Sequence, residues 1–130
     1  MRVNTLKTIL QILLLAVVAV IPFVYIPSLY FPHVSGKAYL FRVLVAAALF
    51  FWTWLAFKNR SYLPNFKNIL VIALVLFFAA QLLSSLFGVD PLYSLFGSID
   101  RPEGVLQYGF WLAYFLMVLS VFTTERDWKI

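Results

Sequence analysis

The chain has 130 residues, 64% of them hydrophobic and 12% charged, with a formal net charge of +5 and no cysteine. A soluble domain carries roughly 45–50% apolar and about 25% charged residues, so a soluble globule is disfavoured, and disorder is excluded because it needs low hydrophobicity. Disulfides and cysteine-ligated zinc are excluded as well. The class that remains is a polytopic helical membrane protein, in which Lys and Arg beside apolar runs signal topology and not nucleic acid.

The first apolar run covers about Leu6 to Ile26. Arg2 and Lys7 precede it as they would in a signal peptide. The run is nevertheless long, meets Pro22 and Pro27 and no small-residue site, and is followed by three more runs, so it is expected to be retained. A short connector, Tyr30–Lys37, then carries Pro32 and Gly36 as bending residues. The second run spans about Ala38 to Phe57, and its Ala46, Ala47 and Ala48 suggest a close helix contact. The third runs from Ile69 to Phe87. Gln81, Ser84 and Ser85 fall on one face of it, which should turn from lipid toward another helix or a wet cavity. Gly88 is expected to end that helix in the left-handed conformation.

Asp90-Pro91 reads as an N-cap followed by Pro at the first helical position. A short interfacial helix over Pro91–Phe96, closed by Gly97, is therefore predicted. Ser85–Gly88 and Ser94–Gly97 repeat the same four residue types, an echo to which no function attaches. Asp100-Arg101-Pro102-Glu103 looks like another helix start, with Asp100 as cap and Glu103 three residues on. The fourth run covers about Val105 to Phe122, with Tyr108, Trp111 and Phe115 as an aromatic stripe. Each run has the roughly 20 residues a spanning helix needs. Lipid forces backbone groups to pair within their own segment, and polar alternation is absent, so helices are expected and a barrel is not.

The expected fold is therefore all-α, a single membrane region with four transmembrane helices and both termini cytoplasmic. Arg2, Lys7, Lys58, Arg60, Lys67, Arg126 and Lys129 lie on one side of these spans; Lys37, Arg42 and Arg101 lie on the other. The larger group marks the cytoplasmic face. Tyr25, Tyr30 and Tyr39 outside, and Trp52, Trp54 and Trp128 inside, suit the headgroup belts.

Candidate chemistry is sparse. His33 is the single histidine, with no companion at ligand spacing, so no metal site is expected. No Ser-His-Asp, phosphate-loop or dinucleotide pattern is present. No charged or strongly polar residue is expected near a midplane, which disfavours a transporter or small exporter. The candidates are cations. Arg42, about one turn inside the second span, suits a lipid phosphate or diphosphate through its planar fork. The competing reading is a snorkelling anchor or an ion pair with another span. Arg101, in the acidic outer connector, is either an anion contact or a local partner of Asp90, Asp100 or Glu103. Lys37 could add a third positive charge.

Phe31-Pro32-His33-Val34-Ser35-Gly36-Lys37-Ala38-Tyr39-Leu40-Phe41-Arg42 resembles the segment joining the first two spans of bacterial O-antigen ligase and polymerase family proteins. Leu86-Phe87-Gly88-Val89-Asp90-Pro91, with Ser94 through Gly104, is similar to that family's next external loop. The resemblance implies a many-span glycosyltransferase of the bacterial cytoplasmic membrane that takes a glycan from a polyprenyl-diphosphate carrier at the outer face, without metal or cofactor. It implies that this chain is an N-terminal portion that is not catalytic by itself, partnered by further helices and by membrane lipids. A contact between carrier phosphate and Arg101, Arg42 and Lys37 is the corresponding expectation. The alternative is a small four-span accessory protein packing on a larger membrane partner through the Gln81, Ser84 and Ser85 face.

Overall fold

A computed structural model describes residues 3–27, 34–98 and 103–123. Among these residues the structure is helical and contains no strand. Helix α1 is Val3–Val20, α2 is Ser35–Lys58, α3 is Ile69–Leu86, α4 is Pro91–Phe96 and α5 is Val105–Val121. Short 3-10 turns follow α1 at Ile21–Phe23 and α2 at Arg60–Tyr62. Helices α1, α2 and α3 are long and apolar enough to cross a membrane; α5 is equally apolar but has 17 residues.

Local chemistry sets the boundaries. Pro22 lacks an amide hydrogen and its ring crowds the preceding turn, so α1 tightens after Val20 and the chain leaves it extended. The first span therefore stops short of the expected Ile26. The Asn68 side chain caps α3 by accepting from the Leu70 amide at 3.0 Å. Asp90 caps α4 from the Tyr93 amide at 3.1 Å. Gly97 ends α4 with φ 74°, and its amide donates to the Tyr93 carbonyl at 2.8 Å. That angle is one that only glycine adopts cheaply.

Four local expectations fail. Gly88 does not take a positive φ, which among the described residues Gly97 alone does; α3 ends at Leu86 with Phe87 as its cap. The connector between α1 and α2 is shorter than expected, because Ser35, Gly36 and Lys37 already belong to α2. Gly36 does not bend a loop: it is buried, and a methyl group there would stand 3.0 Å from Ile26 Cδ1. Glu103 does not complete a capping box on α5, because it precedes the N-cap Gly104, which offers no side-chain cap. Asp100, Arg101, His33, Pro32, Tyr30 and Trp128 lie outside the described residues.

Leu6, Leu10, Leu14 and Val17 form the buried stripe of α1, a spacing that keeps one helical face inward. They join Phe41, Val45, Ala48 and Leu55 of α2 and Met117 and Val121 of α5 in one core. Ala48 is fully buried at a close contact, whereas Ala46 faces outward. Helices α2 and α5 run parallel: Phe41 meets Trp111 and Tyr114 near one end, and Trp52 meets Ser120 near the other. Helix α1 runs against both of them, and α3 packs on α5 where Phe78 approaches Gly109. The Lys37 end thus gathers the start of α2, the end of α3, α4 and the start of α5. The Lys58 end gathers the start of α1, the end of α2 and the start of α3.

Trp52 serves the packing of the bundle as well. Its indole N–H donates to Ser120 Oγ at 2.9 Å and to the Tyr62 carbonyl at 3.2 Å, tying α2, α5 and the α2–α3 connector together. Gln11 overturns the expectation of no strongly polar residue near a midplane, because it sits halfway along α1 and is buried. Its burial is tolerable because no buried side-chain nitrogen or oxygen among the described residues lacks a partner. The outer surface is strongly apolar. Ile12, Val18, Val43, Ile69, Leu76 and Leu83 are all exposed, and α3 buries only Val71 and Ser85. Such a continuous apolar surface is foreign to a monomer in water and natural against lipid.

Candidate functional site at the Lys37 end

A cavity of about 760 Å³ opens between the exit of α1, the start of α2 and the first half of α5. Helical spacing explains its walls. Val34, Lys37, Ala38 and Phe41 project from one face of α2, while Gln107, Trp111 and Tyr114 project from one face of α5. The α1 wall is Val17, Val18, Ile21 and Pro22, brought in by the proline-tightened turn. The cavity floor is thus apolar and aromatic. Phe41 stacks on Trp111 with ring centroids 4.8 Å apart and tilts against Tyr114 at 6.0 Å. The Tyr114 hydroxyl donates to the Leu14 carbonyl at 3.0 Å, which keeps that edge of the ring turned into the bundle.

The polar groups sit at the mouth. Lys37 and Glu103 both line it. Gln107 is buried and accepts a hydrogen bond at its Oε1 from Arg42 Nε at 2.8 Å. Arg42 lies seven residues after Ser35, two turns into α2 and not one as expected. A guanidinium at that depth needs an acceptor, and the Gln107 amide supplies one without adding charge. Its carbon Cζ also stands 6.0 Å from the Tyr39 ring centroid.

Of the three candidate cations, Lys37 lines the cavity, Arg42 backs its wall through Gln107, and Arg101 lies outside the described residues. Gln81, Ser84 and Ser85 lie apart from the cavity: Ser85 is buried, Gln81 is half-buried and Ser84 is exposed. Tyr108 and Trp111 line the cavity, while Phe115 and Trp111 line a separate apolar groove against Leu74 and Phe77. Another apolar groove, of about 300 Å³, lies beneath α4 between Phe78, Leu95, Phe96 and Phe110. Among the described residues no cluster of three His, Asp or Glu is placed to hold a metal ion.

Sequence reasoning does not single out Gln107, Tyr114 or Ser120. The available signal was an amide and hydroxyls within an otherwise apolar run, where lipid makes unpaired polar groups costly. No protein-family model, curated protein or solved structure matches this chain.

Proposed function

We propose that the chain forms a membrane region of an O-antigen ligase-like glycosyltransferase, embedded through four spans in a bacterial cytoplasmic membrane, with the Lys37 end on its outer face. The Lys37 cavity then receives the phosphate end of a polyprenyl-diphosphate-linked glycan. The observation that carries this reading is the cavity itself, with Lys37, the Arg42-backed Gln107 amide and the Glu103 carboxylate at the mouth of an aromatic, apolar recess. Its chemistry matches that class of lipid. A diphosphate needs cationic and N–H donors at headgroup depth, and a polyprenyl chain needs a dry surface beneath them. Transfer of the glycan to an acceptor hydroxyl forms a new sugar–oxygen bond, releases the hydroxyl proton and breaks the bond between sugar and diphosphate. The negative charge that collects on the departing diphosphate is stabilised by a cation already in position. Lys37 is assigned that contact, Arg42 fixes the orientation of Gln107, and Arg101 belongs to the same cationic group by the loop resemblance.

The test is binding of a polyprenyl diphosphate to the chain in lipid nanodiscs. Replacing Lys37 by Gln removes one charge-assisted contact, and affinity should fall about tenfold or more. The polyprenyl alcohol, lacking phosphate, should bind alike to both proteins. Equal diphosphate affinity in the parent and Lys37→Gln would overturn the reading.

A further inference from the structure

The opposite end of the bundle has a different electrostatic character. Lys58, Arg60 and Lys67 are exposed in or beside the short connector between α2 and α3, and Lys7 lies in the first turns of α1 at the same end. The described carboxylates, Asp90 and Glu103, both lie at the Lys37 end. Residues 1–89 contain no Asp or Glu at all.

A groove of about 340 Å³ on the outer face of α2 leads into this end, lined by Phe50, Thr53, Trp54, Phe57 and Lys58. These positions follow i, i+3, i+4, i+7 and i+8, so they make one continuous helical stripe. Phe50 meets Trp54 edge-on with centroids 6.2 Å apart, and Phe57 is 92% exposed. The Thr53 hydroxyl turns inward to the Leu49 and Phe50 carbonyls, each at 2.9 Å. Lys58 is thus the one charged group along an aromatic channel, and it sits at the channel's end, with Arg60 two residues beyond.

We infer that this stripe holds an anionic glycerophospholipid of the surrounding bilayer, its acyl chain along Phe50, Trp54 and Phe57 and its phosphate beside Lys58 and Arg60. The phenyl rings of Phe50 and Phe57 offer an acyl chain an apolar track, and the Trp54 indole suits the zone next to the headgroups. A cationic terminus suits a headgroup with net negative charge, and each basic residue near it favours that headgroup by roughly fivefold. A zwitterionic lipid would bring its own ammonium among these cations and forfeit the gain. The site lies at the far end of the bundle from the Lys37 cavity and stands whether or not that cavity binds a glycan carrier.

Trp54 is a built-in reporter. The full chain is reconstituted in vesicles containing brominated phosphatidylglycerol or brominated phosphatidylcholine, and the quenching that disappears in Trp54→Phe is assigned to the groove. The expected result is a preference of about fivefold or more for the anionic lipid, falling close to one in Lys58→Gln/Arg60→Gln. The charge-preserving Lys58→Arg/Arg60→Lys variant should keep the preference, and so should Lys37→Gln at the other end. Absence of preference in the parent, its survival in the double Gln variant, or its loss in Lys37→Gln would each overturn the site.

Discussion

At Gly104 a methyl group has nowhere to go. It would run into the Leu95 carbonyl oxygen and the Gly97 amide nitrogen, both backbone atoms at the end of α4. Gly104→Ala should therefore cost about 1–3 kcal/mol in unfolding measured in mixed micelles, the range for overpacking a tight site. Gly109 is a useful contrast. A methyl there would stand 3.3 Å from the tip of the Phe78 ring, which borders the open groove beneath α4 and can move into it. Alanine also gains about 0.5–1 kcal/mol of helix preference, so Gly109→Ala should stay within about 1 kcal/mol of the parent. A third substitution tests the polar wall of the cavity. Gln107→Leu keeps the bulk and removes the acceptor of Arg42 Nε. It should cost about 1.5–3 kcal/mol, the worth of a hydrogen bond to a charged group, in the same unfolding measurement. A loss below about 0.5 kcal/mol would show that Arg42 does not depend on this amide.

Among the elements, α4 is the one that cannot stand alone, because six residues fall far below the length at which a helix holds itself. Its cap, its closing glycine and the backbone contact at Gly104 substitute for length. Asp90→Ala should raise the amide exchange of residues 93–96 by about fivefold or more, as expected for losing an N-cap worth about 1 kcal/mol, while the long helices keep their protection. Helix α4 was legible beforehand because its signals are local: Asp before Pro at one end, Gly at the other. The long apolar runs were legible for a similar reason, since length and hydropathy are properties of the run itself. The start of α2 was not, because Ser35-Gly36-Lys37 carries no helix signal, and what settles it is Ile26 resting on Gly36 from another part of the chain. The site divides in the same way. Lys37 and Arg42 announce themselves as charges beside an apolar run. Gln107 becomes their neighbour only once α2 and α5 are known to lie side by side.

At the scale of the whole molecule, the number of crossings turns on α5. Its 17 residues rise about 25 Å, short of a ~30 Å hydrocarbon core but within the range that spanning helices use. The absence of cysteine makes the count measurable with single introduced thiols. Val89→Cys and Ser61→Cys should label with an impermeant maleimide from opposite faces of the membrane, and Thr123→Cys should label from the same face as Ser61→Cys. Labelling of Thr123→Cys from the face of Val89→Cys would mean that α5 turns back. The placement of α5 also has a consequence for biogenesis. Gln107, Tyr114 and Ser120, at its beginning, middle and end, answer Arg42, the Leu14 carbonyl and Trp52 on helices made long before it. Until α5 enters the bilayer, Arg42 lacks the Gln107 acceptor and Trp52 has the Tyr62 carbonyl but not Ser120. The α1–α2 pair can therefore form first, and the polar ties across the bundle close only when the last helix arrives.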